Sequence, residues 1–284
     1  MEQAKKFPGF GQTLLLMLAA IILIVGLTIP VAVAASLLFK VNPAEYPGTM
    51  GCINLVAFGA ILTLGALLTK APLREVFPMQ PIRFALVLPL ILSMLGAVIV
   101  LSEVDNWMRS MLPMPRWLVE FFADLMTAKN GFWGSLFTLS FVAPVTEELF
   151  FRGLVMRGFL SRYSVCTSVL VSSLLFGIIH LNPWQLVSAT MLGLLFGWWF
   201  VRTRSLLPCL AGHALANSAL VFIPFLPLRI SGFNAGSPLD ATVEFQPLWF
   251  DLLGLALLVA GVWLFAAWSR KPPVENTASA AQAV

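Results

Sequence analysis

The sequence predicts an all-α protein, a polytopic membrane helix bundle with about eight transmembrane helices. Three observations carry that prediction. The 284 residues are 59% hydrophobic and 11% charged, with a mean hydropathy of +0.91, whereas a soluble domain is about 25% charged. The apolar residues fall in runs of about 20, the length at which a helix crosses the hydrocarbon core with its backbone satisfied internally. Strand-like alternation of apolar and polar residues is absent, which argues against an outer-membrane barrel.

The spans can be placed in order: 13–38, 50–69, 83–101, 132–156, 165–181, 185–201, 206–225 and 248–268. Lys5 and Lys6 precede the first run, and Ala32-Val33-Ala34 near its end looks like a signal-peptide cleavage site. A run from Thr13 to Leu38 is longer than the 7–15 residues of a typical signal core, so it reads as the first span. The connection after the third span, 102–131, is long. Pro115 could open a helix there, with Trp117, Leu118, Phe121, Phe122, Leu125 and Met126 on one face and Glu120 and Asp124 opposite. That pattern suits a helix lying in the membrane interface and packing over the bundle. Gly193 and Gly197 in the sixth span form a GxxxG pair, which predicts close helix packing. Residues 1–270 read as one domain, and the small, polar tail 271–284 reads as disordered.

Charge placement predicts orientation. With eight spans and a cytoplasmic N-terminus, twelve of the 17 Lys and Arg fall on the cytoplasmic side. The positive-inside rule therefore favours both termini in the cytoplasm, in a bacterial-type inner or plasma membrane. The formal net charge of +4 is no nucleic-acid signal, because the basic residues sit at helix ends. Cys52, Cys166 and Cys209 are odd in number and widely separated in apolar surroundings, and they read as buried packing residues, with no disulfide framework or metal-ligand spacing.

The ionisable groups inside the spans are few and clustered. Glu147-Glu148-Leu149-Phe150-Phe151-Arg152 puts three charges within six residues. One charge at the bilayer centre costs about 2.5–3.5 kcal/mol. Glu148 and Arg152 are four apart, share a helix face and can pair. Glu147 is turned about 100° from Glu148, which leaves it free to face a cavity as a general acid or base. The bland alternative is an ion-pair cluster at a helix end. The two histidines of the chain lie in other spans. Phe176 sits one turn before His180, and His213 sits one turn before Asn217. An imidazole and an amide stacked on one face of a dry bundle need a polar partner. A developing oxyanion is one such partner; an interhelical hydrogen bond from His213 to the Glu148–Arg152 patch is another.

Together these patches resemble the CAAX-protease and bacteriocin-processing family of intramembrane proteins, with type II CAAX-prenyl endopeptidases among its members. Its motifs EExxxR, FxxxH and HxxxN appear in that chain order as Glu147-Glu148-xxx-Arg152, Phe176-xxx-His180 and His213-xxx-Asn217. The resemblance covers the core from about 132 to 225. It implies an eight-helix bundle with a conical cavity open to the cytoplasm. It also implies glutamate-dependent peptide hydrolysis without a covalent enzyme intermediate. Glu147 and His180 would activate water, and His213 and Asn217 would stabilise the oxyanion. Glu148 and Arg152 would support them, with Phe176 packed alongside. No cofactor and no metal is implied. The partners would be the lipid bilayer and a peptide or protein substrate, lipidated or not. Two other readings use the same residues. Glu147, His180 and His213 could be three zinc ligands, although no HExxH is present. Alternatively, the buried acid and histidines could serve a transporter, or a non-catalytic immunity or scaffold protein.

Overall fold

The structure, a computed structural model, describes residues 6–41, 46–127, 132–235 and 243–269, and the side chains of 124–127 are left out of the description. The described residues are helices and connections without strands, as the absence of alternation predicts. The expected tail 271–284 lies outside the described residues. Of the three cysteines expected to be buried, only Cys209 is; Cys52 and Cys166 sit on outward helix faces and are exposed.

Six helices are long and apolar enough to cross a membrane. They are α1 (Phe10–Phe39), α2 (Pro47–Thr69), α3 (Phe84–Met111), α7 (Pro183–Thr203), α8 (Leu207–Phe225) and α9 (Leu248–Trp268). Besides a four-residue turn of helix at Leu73–Val76, the described residues contain α4 (Arg116–Thr127), α5 (132–160) and α6 (Val165–Ile178). The expected count of eight spans is therefore met only in part. At 14 residues, α6 is about 21 Å long at 1.5 Å per residue, short of a ~30 Å hydrocarbon core. The third span runs ten residues beyond its expected end at 101, to Met111, which shortens the connection before α5.

Most of α1 faces outward, and only Thr13, Leu16, Met17 and Ala20 on it are buried. Around α5 the reverse holds: Phe150, Phe151, Leu154, Val155, Met156 and Phe159 are all fully buried. This helix is the axis of the bundle. Two apolar clusters meet along it, one reaching α1, α2 and α6, the other α3, α7, α8 and α9.

Close approach is obtained with small residues. A Cβ on Gly193 would press on Ser173 of α6, and one on Gly197 would meet Val169. The GxxxG expectation thus holds for the α6–α7 pair. In α3 and α9, Gly96 lies against the Gly254 and Leu258 backbones, and Gly261 lies against that of Ser93.

Local signals set the helix ends. Ser164 Oγ accepts from Thr167 N, and Asn182 Oδ1 accepts from Gln185 N, so α6 and α7 both start on side-chain caps. Pro183 follows its cap at the first helical position. The expected helix after Pro115 is present as α4. Leu118 is buried, whereas Trp117 and Phe121 are exposed, so its apolar face is only partly covered. An Arg116–Glu120 ion pair holds its outer side.

The axis helix is not regular. Residues 137–142 and 149–155 are π-helical, and an α-helical segment, Ala143–Glu148, lies between them. Pro144 explains the first irregularity, because a proline inside a helix has no N–H for the ladder and its ring crowds the preceding turn. A π-turn relieves that crowding by adding a residue to the turn, and such turns recur at functional sites.

Candidate active site

The short α-helical segment between the two π-turns carries both glutamates. Glu148 is fully buried and Arg152 is 1% exposed. Their contact is direct: Arg152 Nη1 donates to Glu148 Oε1 at 2.8 Å. Removing two charges from solvent costs several kcal/mol per ion, which one contact does not offset. The site supplies more. Arg152 Nη2 donates to the Gly193 carbonyl of α7 at 3.1 Å. The guanidinium also lies 4.5 Å from the Phe176 ring centroid and 5.4 Å from that of Phe196, within cation–π range.

His213 of α8 joins the same cluster. Its Nδ1 lies 2.8 Å from Glu148 Oε1. An ionised carboxylate only accepts, so the proton of this bond belongs on Nδ1. The other ring nitrogen, Nε2, then faces Glu147 Oε2 at 3.9 Å. The ring is fixed on both sides, stacked on Phe196 and edge-on to Phe176, with centroids 5.6 and 5.7 Å away. The interhelical hydrogen bond considered for His213 is therefore formed, and it leaves the second nitrogen directed at Glu147.

Glu147 differs from its neighbour. Its side chain is 19% exposed, and Oε2 is buried with no hydrogen-bond partner among the described residues. At 3.9 Å the carboxylate and imidazole are too far apart for a direct hydrogen bond. They are close enough to act on one small polar molecule together.

His180 lies just beyond the end of α6, where the ladder gives way to a tight turn. Its Nδ1 is 2.9 Å from the Phe176 carbonyl, and its ring is edge-on to Phe176 with centroids 5.3 Å apart. Phe176 thus touches both imidazoles, which places their centroids within about 11 Å of each other. The turn is held by Asn182 Nδ2 donating to the His180 carbonyl at 3.1 Å. Leu181 adopts a left-handed φ of 55°, a strained state for a non-glycine residue.

Asn217, one turn beyond His213, is half-buried and donates from Nδ2 to the Leu139 carbonyl of α5 at 2.8 Å. Sequence reasoning placed it beside His213 but gave no hint of Leu139. It also missed Phe196 and the Gly193 carbonyl. Gly193 was visible as half of the GxxxG pair; a buried backbone acceptor carries no sequence signal.

The structure thus gathers Glu147, Glu148, Arg152, Phe176 and His213 into contact. It sets His180 edge-on to Phe176 and ties Asn217 to α5. No group of three or more His, Cys, Asp or Glu among the described residues is arranged to hold a metal ion.

Comparison with known proteins meets the site at this point. Residues 129–219 match the family described as "Rce1-like: Type II CAAX prenyl endopeptidase Rce1-like". A protein of Bacillus subtilis (strain 168) named "Putative membrane peptidase YdiL" is 28% identical over 90 residues, 32% of this chain. The match spans 37% of that relative's length. No solved structure matches. The family match bears out the resemblance noted in the sequence. Its stretch carries every residue of the three motifs, from Glu147 to Asn217.

Proposed function

We propose that this chain is an intramembrane endopeptidase that hydrolyses a peptide bond with water, without a covalent enzyme intermediate. The single observation that carries the reading is the Glu147–His213 pair. One buried carboxylate oxygen without a partner faces an imidazole nitrogen whose ring is fixed from behind by Glu148. An acid and a base held at a fixed separation suit proton transfer to and from a reacting molecule. The match to a peptidase family over this segment supports the choice of peptide as substrate.

In this reading Glu147 takes a proton from water as the water oxygen bonds to the scissile carbonyl carbon. The carbonyl oxygen becomes an oxyanion, which His213 stabilises in its doubly protonated form, with Nε2 as the donor. Glu147 then returns the proton to the amide nitrogen, the C–N bond breaks, and a carboxylic acid and an amine leave, the acid proton passing to the amine or to solvent. His180 assists Glu147 in activating water. Glu148 and Arg152 act only through His213 and the helix that bears Glu147. The scissile bond lies near the C-terminus or in the membrane-proximal part of the substrate, lipidated or not. Both termini of the enzyme face the cytoplasm, as the distribution of Lys and Arg favours.

The decisive experiment is quantitative membrane proteomics of cells carrying the wild type or Glu147→Gln. Uncleaved peptides should accumulate in the variant. Identical peptide profiles, with equal amounts of protein inserted, would reject the peptidase reading. Strong chelation should leave cleavage intact; loss of cleavage restored by added zinc would establish the metalloprotease alternative.

A further inference from the structure

We propose that Asn217 is a positioning residue whose amide stands in for the backbone N–H that Pro144 lacks. In doing so it fixes the helical phase at which Glu147 meets His213. The inference rests on the assignment of Glu147 under Proposed function, and its test has a readout independent of catalysis.

In the first π-turn of α5, Ala143 N donates to the Thr138 carbonyl, five residues back. The same spacing places the Leu139 carbonyl opposite residue 144. That residue is proline, so no N–H is available. A part-buried carbonyl in an apolar bundle is costly to leave without a donor. Asn217 Nδ2 reaches this oxygen at 2.8 Å from α8. The bond therefore crosses between helices at the one place where the π-turn cannot close itself.

Phase is what this bond protects. A π-turn adds one residue to the helical repeat, so its collapse to α-helix would rotate everything downstream by about 100°. The upstream part of α5 cannot rotate in compensation. Thr138 Oγ1 donates to the Pro47 carbonyl at 2.7 Å, and Gly51 of α2 lies directly against Thr138. The rotation would fall on the segment Ala143–Glu148, which carries both glutamates. It would break the Glu148–His213 bond and turn Glu147 away from Nε2. Asn217 and His213 share α8, so the helix that presents the imidazole also sets the angle of the carboxylate it faces.

This role can be separated from direct donation to an oxyanion. Pro144→Ala restores the missing N–H, which can then close the turn on Leu139 without Asn217. Four proteins in bilayers decide the matter: wild type, Asn217→Ala, Pro144→Ala and the double variant. Amide hydrogen exchange over residues 143–149 should accelerate about tenfold in Asn217→Ala, the loss of one hydrogen bond. In the Pro144→Ala background the same substitution should change exchange less than about twofold. For a quenched membrane-anchored peptide taken from the proteomic comparison, Asn217→Ala should lower kcat about 10²-fold with KM unchanged. In the double variant, that loss should shrink to a few-fold relative to Pro144→Ala alone. An Asn217→Ala effect of equal size in both backgrounds would overturn the proposal and assign Asn217 to the oxyanion directly. Exchange unmoved by Asn217→Ala would overturn it as well. If no variant, nor the wild type, cleaves any peptide while exchange still shows the coupling, the peptidase reading fails and the positioning role stands.

Discussion

Two polar clusters lie inside this apolar bundle, and they are built differently. The first joins α5, α7 and α8 around Glu148, Arg152 and His213. The second joins the end of α3 to the segment before α9. There Glu103 Oε2 accepts from Asn106 Nδ2 at 2.9 Å and from Gln246 N at 3.0 Å. Asn106 also donates to the Gly232 carbonyl, and Gln246 Nε2 to that of Ile99. Three of these four bonds involve a backbone atom, two of them in a connection. They staple the segments around Gly232 and Gln246 onto α3. Both clusters contain buried oxygens without partners: Glu147 Oε2 and Glu148 Oε2 in the first, Gln246 Oε1 and Asp251 Oδ1 in the second. An unsatisfied oxygen alone therefore does not mark a reactive site. The difference is the ring of His213, fixed by one carboxylate and facing another.

Substitutions can break or sharpen this contrast. The largest effect should come from Glu147→Ala, which should abolish cleavage, a loss of about 10⁴-fold at the upper end for a general base. The protein should still insert, since no partner of Glu147 is left stranded. Glu103→Gln in the second cluster should retain turnover within a few-fold, and a comparable loss there would erase the distinction. His213→Ala and His180→Ala should each abolish cleavage in the same assay. Full activity in either would remove that residue from the mechanism. Arg152→Ala should act on folding first, because it leaves Glu148 charged and buried. A destabilisation of about 3–5 kcal/mol is expected, read as unfolding of purified protein in detergent. The smallest effect belongs to Asn106→Ala. Loss of its two bonds should cost about 1–2 kcal/mol of stability and leave kcat unchanged.

How much of this was legible in the sequence follows from what each feature does to composition. A buried charge is rare enough in a membrane chain to be conspicuous, so Glu147, Glu148, Arg152 and both histidines stood out. The pairing of Glu148 with Arg152 followed from a spacing of four. Which polar group His213 would meet did not: the Glu148–Arg152 patch was one of two candidates, because contacts between helices have no period in the sequence. The same holds for the Gly193 and Leu139 carbonyls, since every residue has one. The end of α6 was hidden for a different reason. Hydropathy measures how apolar a stretch is, and it does not report where a helix stops. The expected span 165–181 starts as the helix does, after the Ser164 cap, but the helix ends at Ile178, before the strained turn at Leu181. Pro144, a proline inside a helical run, is a signal of the first irregularity in α5 that sequence reasoning missed.

Phe176 has a practical consequence. Its ring lies 4.5 Å from the Arg152 guanidinium carbon and within 5.3 and 5.7 Å of the two imidazole centroids. A single fluorine on that ring would sense all three groups at once. Its resonance would report protonation of either histidine or any movement of α6 against α8, and it would do so with no substrate in hand.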